Sequence, residues 1–408
     1  MRNRHPELLI PASSLEVLKT AVMFGADAVY IGGEAFGLRA KAKNFSMEDM
    51  KEGVQFAHEH GARVHVTVNI LAHNDDLEYL KELKEIGPDA LIIADPAIFM
   101  LAKEICPEIE RHVSTQANNT NYGTFNFWWN LGAKRVVTAR ELSLKEIREI
   151  RAHIPAEMEI ESFIHGAMCI SYSGRCLLSN FFTGRDANQG ACTHPCRWKY
   201  SVVEETRPGE YMPVYENERG TYIFNSKDLC MIEHIPEMID AGIDSFKIEG
   251  RMKTALYVAT VARTYRKAID DYLEDPKKYE ANMPWYRDQI SNCTYRQFTT
   301  GFYFGKPGDE SQIYDSNTYI KEYTYLGIIG GIKDGMYRIE QRNKFSVGET
   351  VEIMKPDGQN IEVTVEKIID EDGQEQESAP HPKQVLYVAL SGEASVYDIL
   401  RRQEGVTE

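Results

Sequence analysis

Eight short runs rich in β-branched residues alternate with eight helical stretches over the first 275 residues, and this alternation restricts the fold more than any other feature. The runs are six to nine residues long and begin at residues 7, 28, 63, 90, 111, 135, 158 and 245. Several helical stretches begin at Ser, Asp or Thr N-caps and end at a glycine. The pattern predicts a (β/α)8 barrel, with an open doubly wound sheet as the alternative.

The turn after the first predicted strand disfavours a dinucleotide-binding fold. The sequence there is ELLIPASSLEV, which offers Pro and Ser where a Rossmann strand is followed by G-x-G-x-x-G. The barrel is therefore the preferred interpretation.

One connection in this alternation is unusually long. Strand seven and its helix are separated by roughly sixty residues, an insertion at about 167–225, whereas barrel loops are mostly short. In a barrel this loop opens onto the C-terminal face, where active sites lie. We therefore expect a barrel domain over 1–280, a connector over 281–318, and a small β-barrel domain over 319–402, where short alternating strands and Gly turns recur.

Composition favours a cytoplasmic protein. The chain is 43% hydrophobic and 26% charged, and it contains no apolar run long enough to cross a membrane. The N-terminal segment lacks the apolar core of a secretion signal. The net charge of −16 argues against a sequence-blind nucleic-acid coat but leaves room for a local basic face. In the cytoplasm thiols stay reduced, so clustered cysteines indicate a metal or catalytic site.

Four of the seven cysteines lie between Cys169 and Cys196, with the spacing C-x6-C-x15-C-x3-C. Structural zinc sites usually use tighter pairs, and the glycine-rich insertion also suits an iron–sulfur cluster, so the spacing leaves both open. A Cys-His hydrolase is a third interpretation, because His165 and His194 lie near these thiols. It leaves three of the four cysteines without a role.

A family resemblance appears in the segment that runs through the first two cysteines. ESFIHGAMC, followed by GRCLLS, resembles the signature of the peptidase U32 family, and every fixed position is filled. The segments GRDANQGACTHPCRW, FNSKDL and KIEGRMKTALYVA resemble the branch that contains the tRNA uridine hydroxylation proteins. The resemblance covers essentially the whole chain.

The resemblance implies a TIM-like barrel protein that carries a [4Fe-4S] cluster and hydroxylates RNA without oxygen. The expected product is 5-hydroxyuridine at the tRNA wobble position, with prephenate as the hydroxyl donor. It further implies that Cys169, Cys176 and Cys192 bind the cluster. Cys196 completes a compact set as the fourth ligand, and Cys230 is the alternative; its surroundings indicate a helix that would bury it as a core thiol. The expected partners are the tRNA anticodon loop and, as a further option, a homologous U32 subunit, with no membrane.

Polar residues at the predicted strand ends supply the remaining candidates. Because prephenate is a dicarboxylate, it calls for arginine clamps and polar binding groups. We expect Asn69, Gln116, Arg140 and Arg175 to bind substrate, and Glu161, Glu249 and Arg251 to be catalytic. Glu161 and Glu249 are placed at the ends of strands seven and eight. The simpler alternative for each arginine is a salt bridge between strand ends, such as Glu249 with Arg251.

Two other functions stay open on the sequence. One is a U32-type, collagenase-like peptidase with a cysteine or an unassigned nucleophile. The other is a scaffold without enzymatic activity, in which a metal only orders the insertion.

Overall fold

The computed structural model describes residues 5–33, 45–69, 80–168, 176, 178–185, 192–197, 201–202, 212–213, 225–250, 253–292, 297–306, 312–313 and 323–404. The chain divides into two compact units. The first comprises Met1–Val22, Ala26–Lys253 and Arg296–Thr318, and the second comprises Met23–Gly25, Thr254–Tyr295 and Tyr319–Glu408. None of the described helices is long and apolar enough to cross a membrane.

The first unit is built on a closed barrel of eight parallel strands. They are β1 (Glu7–Pro11), β2 (Ala28–Gly32), β3 (Arg63–Val68), β4 (Ala90–Ile93), β5 (Glu110–Val113), β6 (Arg135–Val137), β7 (Glu159–Gly166) and β12 (Ser245–Ile248). Neighbours in sequence pair along the whole series, and β12 pairs with both β1 and β7. These two pairings close the sheet. The predicted barrel is confirmed, and the open doubly wound sheet is wrong.

The described part of this unit contains eight helices. They are α1 (Leu15–Met23), α2 (Met47–Glu59), α3 (Leu80–Ile86), α4 (Pro96–Ile105), α5 (Tyr122–Leu131), α6 (Leu144–His153), α7 (Leu178–Thr183) and α8 (Ile235–Asp240). Asp95 caps α4 through the amides of residues 97 and 98, and Ser143 forms a reciprocal capping box with Glu146 at the start of α6. Local sequence therefore sets where these helices begin.

The insertion between β7 and β12 contributes short elements. Besides α7 it contains 3-10 turns at 195–197 and 232–234 and the strands β8 (Ser201–Val202), β9 (Met212–Pro213), β10 (Asn225–Ser226) and β11 (Asp228–Cys230). β8 pairs with β9, and β10 pairs with β14 (Gln312–Ile313). β11 joins the barrel sheet and also pairs with β13 (Phe298–Thr299).

The second unit contains helices α9 (Ala255–Glu274), α10 (Pro276–Ala281) and α11 (Met283–Ser291) and an all-β domain. Its strands are β15 (Tyr323–Lys333), β16 (Met336–Glu340), β17 (Thr350–Met354), β18 (Asn360–Asp370), β19 (Glu375–Gln376), β20 (Val385–Leu390) and β21 (Ile399–Gln403). Six of them close an antiparallel ring in the order β17-β21-β15-β16-β20-β18, and β19 extends it. The predicted all-β C-terminal region is confirmed. The irregular connector predicted from residue 281 is wrong over α11, which is helical.

Candidate active site at the barrel mouth

The C-terminal ends of β6, β7 and β12 meet at Arg140. The mouth is the end of the barrel toward which all parallel strands point. One terminal nitrogen of Arg140 donates to the carbonyl of Ala167, 2.9 Å away, and the other donates to Oε2 of Glu249, also at 2.9 Å. Its guanidinium lies 4.0 Å from the ring centroid of Phe163. Arg140 therefore fixes the strand ends as well as presenting a cation.

Glu249 occupies the predicted position at the end of the eighth strand. Its backbone N–H donates to the carbonyl of His165 at 2.8 Å, and its side chain is 31% exposed. A salt bridge between strand ends exists here between Arg140 and Glu249. Arg251 lies outside the described residues, so the predicted pair of Glu249 with Arg251 stays a prediction.

A second polar group connects the ends of β3 and β5. The side-chain amide of Asn69 donates to Oγ of Ser114 at 3.1 Å, and the same oxygen accepts the backbone N–H of Gln116 at 3.2 Å. Both Asn69 and Gln116 are half-buried. The structure therefore brings these two predicted substrate-binding residues together through a serine that sequence reasoning did not select.

Gly166 forms the last residue of β7 and leads directly into the cysteine-bearing insertion. Its φ is +104°, and a Cβ placed on it would lie 2.4 Å from the carbonyl oxygen of Glu249. Only glycine meets both conditions without strain. The signature glycine therefore lets the start of the insertion pass directly against the eighth strand's end.

The prediction that Glu161 lies at the mouth is wrong. β7 runs from Glu159 to Gly166, so Glu161 is its third residue and is fully buried in the barrel. Its Oε1 accepts a hydrogen bond from Nζ of Lys247 at 2.6 Å, and Arg135 donates to Oε2 at 3.2 Å. The predicted run already extended from residue 158 to residue 166, so Glu161 lay inside the predicted strand, and assigning it to the strand end was the error.

The charged interior extends beyond Glu161. Arg135 also pairs with Glu7 and, at 2.7 Å, with Glu159. Burial alone would raise the pKa of Glu7, but Arg135 outweighs it and holds that pKa well below its usual range. TIM-barrel interiors are mostly filled by branched apolar side chains, so this network is an unusual feature of the sequence.

The described part of the insertion is tied together around the cysteines. Thr193, next to Cys192, donates its backbone N–H to Oγ of Ser179 at 3.0 Å, and the two hydroxyls lie 2.9 Å apart. His194 has a φ of +56°, and its N–H donates to the sulfur of Cys192 at 3.3 Å. Such N–H donors stabilise a thiolate and tune the sulfurs of a bound cluster.

The helix predicted around Cys230 is wrong. Cys230 ends β11, where it pairs with His165 in antiparallel register, and Leu229 pairs with Gly166. Met231 then donates its N–H to the carbonyl of Ile164 at 2.9 Å. Cys230 is half-buried beside the last residues of β7, so the reason for preferring Cys196 as fourth ligand does not hold.

His165 does not suit a Cys-His hydrolase. The residue is fully buried, with its ring 5.7 Å from that of Phe298, and burial lowers its pKa to about 3. A general base at neutral pH needs a pKa near the working pH. The structure therefore disfavours His165 as the activator of a neighbouring thiol.

Three predicted site residues, Cys169, Arg175 and Arg251, lie outside the described residues. Cys176, Cys192 and Cys196 are described. Within the described part of the chain no three His, Cys, Asp or Glu side chains converge closely enough to hold a metal ion. The predicted ligand set includes Cys169 and therefore stays a prediction.

Sequence reasoning missed Tyr303 near the mouth and Lys247 inside the barrel. The hydroxyl of Tyr303 donates to the carbonyl of Phe163, and the carbonyl of Tyr303 accepts the N–H of Leu144 at 2.9 Å. Nζ of Lys247 lies 4.5 Å from the ring centroid of Tyr30, whose hydroxyl donates to the carbonyl of Ile248. For Tyr303 the sequence contains no signal, because its partner is 140 residues away.

Nearly the whole chain matches one family. Residues 13–313 match the model described as Peptidase family U32, and residues 321–401 match the Peptidase family U32 C-terminal domain. The chain belongs to peptidase family U32. The resemblance seen in the cysteine-bearing motif is confirmed over both units.

Relatives within the family carry names that refer to RNA. The "tRNA hydroxylation protein P1" of Bacillus subtilis is 43% identical over 405 residues, covering 98% of this chain and 95% of the relative. The "tRNA hydroxylation protein P" of Escherichia coli is 39% identical and covers 92% of this chain and 91% of the relative. The "23S rRNA 5-hydroxycytidine C2501 synthase" of Escherichia coli is 40% identical over 273 residues, which is 66% of this chain and 40% of that protein.

Proposed function

We propose that this U32 protein hydroxylates RNA, with a uridine of tRNA as its substrate. The observation that carries the proposal is similarity over almost the full length to two relatives named as tRNA hydroxylation proteins. The relative named for an rRNA cytidine supports RNA as the shared class of substrate. The specific product that we propose is 5-hydroxyuridine at the wobble position, formed without oxygen and with prephenate as donor.

The thiols of the insertion fit a [4Fe-4S] cluster chemically. Sulfur ligands select soft metals and iron–sulfur clusters, and Cys176, Cys192 and Cys196 lie in the described part of the insertion that follows β7. The N–H of His194 that points at the sulfur of Cys192 supports the same fit. We propose Cys169, Cys176 and Cys192 as ligands, with Cys196 or Cys230 as the fourth. A bound cluster supplies one-electron redox chemistry and Lewis-acidic iron.

The polar residues at the mouth suit a donor that carries carboxylates. A guanidinium binds carboxylates through two parallel hydrogen bonds. Both terminal nitrogens of Arg140 are oriented by hydrogen bonds to residues that follow β7 and β12. In the free chain Glu249 holds one of these nitrogens. We propose that a carboxylate of the donor replaces Glu249 as the partner of Arg140. The carboxylate of Glu249 is then free to accept a proton.

Asn69 and Gln116 supply neutral binding groups. Ser114 fixes the orientation of Asn69 by accepting its amide hydrogen, which leaves the amide oxygen of Asn69 as an acceptor. A hydroxyl of the donor or of the ribose is a suitable partner for such a group. We include Arg175 and Arg251 in this binding set on the basis of the motif.

The proposal is tested with anaerobically purified protein, tRNA from a strain that lacks hydroxylated uridine, and prephenate. Digestion of the tRNA and mass spectrometry of its nucleosides should show uridine gaining one oxygen atom only when protein and prephenate are both present. Chorismate and phenylpyruvate serve as control donors. Loss of uridine signal without a hydroxylated product, or product formation without protein, contradicts the proposal.

The family description keeps a peptidase as the second candidate. The buried His165 with its low pKa weakens a cysteine nucleophile as its basis. Turnover of casein or collagen by the same purified protein, retained in Cys176→Ala, would favour this candidate instead. A scaffold role would be favoured if Arg140→Lys kept full function while Cys176→Ala unfolded the chain.

A further inference from the structure

We propose that the outer face of the C-terminal β domain binds an unpaired nucleotide of RNA, with the ring of Tyr387 stacking on the base. We call this surface the Tyr387 face and define it by Gly330, Gly331, Lys333, Arg338 and Tyr387. The identity of the partner as RNA rests on the proposed function, and the placement of the surface rests on the structure.

The pleat of β20 directs Tyr387 away from the domain core. Leu386 and Val388 on either side of it belong to the buried core of the β domain, so Tyr387 points to the opposite face and is only half-buried. Arg338 on β16 pairs with Tyr387 in register and likewise precedes a core residue, Ile339. The two side chains are therefore neighbours on one face.

Two cations lie on the β16 side of Tyr387. Nζ of Lys333 lies 5.5 Å from the ring centroid, and Arg338 is the cross-strand neighbour of Tyr387 on β16. Within the described residues neither Lys333 nor Arg338 forms an ion pair with a carboxylate. Of the nearby acids, Glu340 is paired with Arg342 and Glu375 with Lys367, while Asp334 is exposed in the turn after Lys333. The Tyr387 face itself carries two cations and no acid, in a chain of net charge −16.

Glycines make the surface beside Arg338 flat. Gly331 pairs with Arg338, and a Cβ on the exposed Gly330 would lie 3.2 Å from the terminal nitrogen Nη1 of Arg338. The guanidinium therefore lies over the bare backbone of β15. An exposed aromatic ring with neighbouring cations on a flat sheet can stack bases and contact phosphates of single-stranded nucleic acids.

The chemistry favours an unpaired nucleotide over a duplex. A base in a helix is stacked on both sides and hides its face from a side chain, whereas a loop base can leave the stack. The face is also small, and the rest of the β domain has many acidic side chains, so a long duplex would meet repulsion. A loop nucleotide requires only the ring and two phosphate contacts.

The test measures binding of the full-length protein to a fluorescent 17-nucleotide RNA stem-loop and to a blunt RNA duplex of the same length. Wild type should prefer the stem-loop. Tyr387→Ala should weaken stem-loop binding by about 5-fold to about 100-fold. Tyr387→Phe keeps the ring and should bind as wild type does.

The cations are tested by the salt dependence of the same binding. Lys333→Ala and Arg338→Ala should each reduce the slope of log affinity against log salt by about 0.7. Gly330→Val should weaken binding by displacing the guanidinium, since this exposed position has no positive φ and the colliding atom ends a flexible side chain. Lys344→Ala removes an exposed lysine outside the Tyr387 face and is the matched control.

The outcomes separate this inference from the proposed function. If wild type prefers the stem-loop and Tyr387→Ala binds equally well, the inference is overturned while hydroxylation can still be found. If wild type binds neither RNA, the inference is overturned whatever the hydroxylation assay gives. If Tyr387→Ala loses the preference but no hydroxylated uridine forms in the donor assay, the inference stands and the proposed function fails. Thermal melts of every variant confirm folding.

Discussion

Arg140 combines two roles that a variant can separate. Arg140→Lys keeps the positive charge and loses the planar fork that reaches Ala167 and Glu249 at once. At donor concentrations below saturation we expect hydroxylation to fall about 10-fold to 100-fold, as loss of a charge-assisted hydrogen bond predicts. Most of this loss should appear as a higher apparent KM for prephenate.

The control for Arg140 is Arg148→Lys, which alters an exposed arginine of α6 that pairs with Asp240. Hydroxylation by this variant should match wild type. Equal donor dependence of Arg140→Lys and wild type would contradict the assignment of Arg140 to donor binding.

The fourth ligand is decided by metal analysis of cysteine variants after anaerobic purification. Cys176→Ala should lose the visible absorbance, iron and sulfide of the cluster, and Cys106→Ala, a buried cysteine at the end of α4, should keep them. Loss in Cys230→Ala with retention in Cys196→Ala assigns Cys230, and the reverse assigns Cys196. Iron and sulfide contents of Cys176→Ala equal to those of wild type would contradict the proposed set of cysteine ligands.

At the residue scale, the sequence predicted the residues at the barrel mouth better than the charged residues inside the barrel. Asn69, Gln116, Arg140 and Glu249 all follow strands closely, so strand ends were a sufficient guide to them. Glu161 was misplaced although the predicted run, like β7 itself, continues five residues beyond it. Its partners Lys247 and Arg135 come from other strands, and long-range pairing leaves no local pattern.

At the scale of strands, the passage of β7 past β12 depends on Gly166. Gly166→Ala adds a positive-φ cost of roughly 1 to 2 kcal/mol and a collision with the carbonyl of Glu249. We expect the free energy of unfolding to fall by at least about 3 kcal/mol. Urea unfolding measures this loss.

Gly184→Ala is the matched control for this substitution. Gly184 also has a positive φ, of +66°, but a Cβ there meets no heavy atom within 4 Å. Gly184→Ala should lower the free energy of unfolding only by the cost of the positive φ. Equal losses in the two variants would contradict the close approach of Gly166 to β12.

The polar barrel interior predicts sensitivity to acid. Burial lowers the pKa of His65 and of His112 well below the usual value near 6.5. Below that pH the unfolded chain binds protons that the folded chain does not, so the free energy of unfolding falls as the pH falls. Glu7 acts in the same direction below about pH 4.5, because Arg135 outweighs burial and holds its pKa low.

His65→Leu tests this sensitivity. The variant should reduce the fall in unfolding free energy between pH 6 and pH 4 by up to ~1.4 kcal/mol per pH unit. His60→Gln, which replaces an exposed histidine at the end of α2, is the control. Identical slopes for His65→Leu and wild type in urea unfolding would show that His65 is not held neutral by burial.

The elements themselves were predictable where pattern and length agreed. All eight barrel strands follow from short runs rich in β-branched residues, because a strand buried on both faces is mostly apolar. The charged residues inside the barrel are the exception. Around Cys230 the same rule failed. Residues 228–230 form a strand because they pair with β7 and β13, and this pairing overrides a local sequence that is typical of a helix.

At the scale of the whole molecule, the proposed sites are distributed over the two units. The first contains the candidate site and the cysteine-bearing insertion, and the second contains the Tyr387 face. Sequence alone predicted a barrel followed by an all-β region, since strand spacing and turn residues change near residue 320. It did not predict the Tyr387 face, because Lys333, Arg338 and Tyr387 come together only through the pairing of three strands.

The measurement that tests the central claim most directly is the tRNA nucleoside content of complemented cells. The host lacks its own U32 genes and receives wild type, Cys176→Ala or the buried-cysteine control Cys106→Ala. Mass spectrometry should find hydroxylated uridine with wild type and Cys106→Ala, and none with Cys176→Ala or an empty vector. Thiol-dependent hydroxylation of tRNA by this protein would be contradicted by either of two results. One is the absence of hydroxylated uridine in cells with wild type, and the other is an unchanged amount of it in cells with Cys176→Ala.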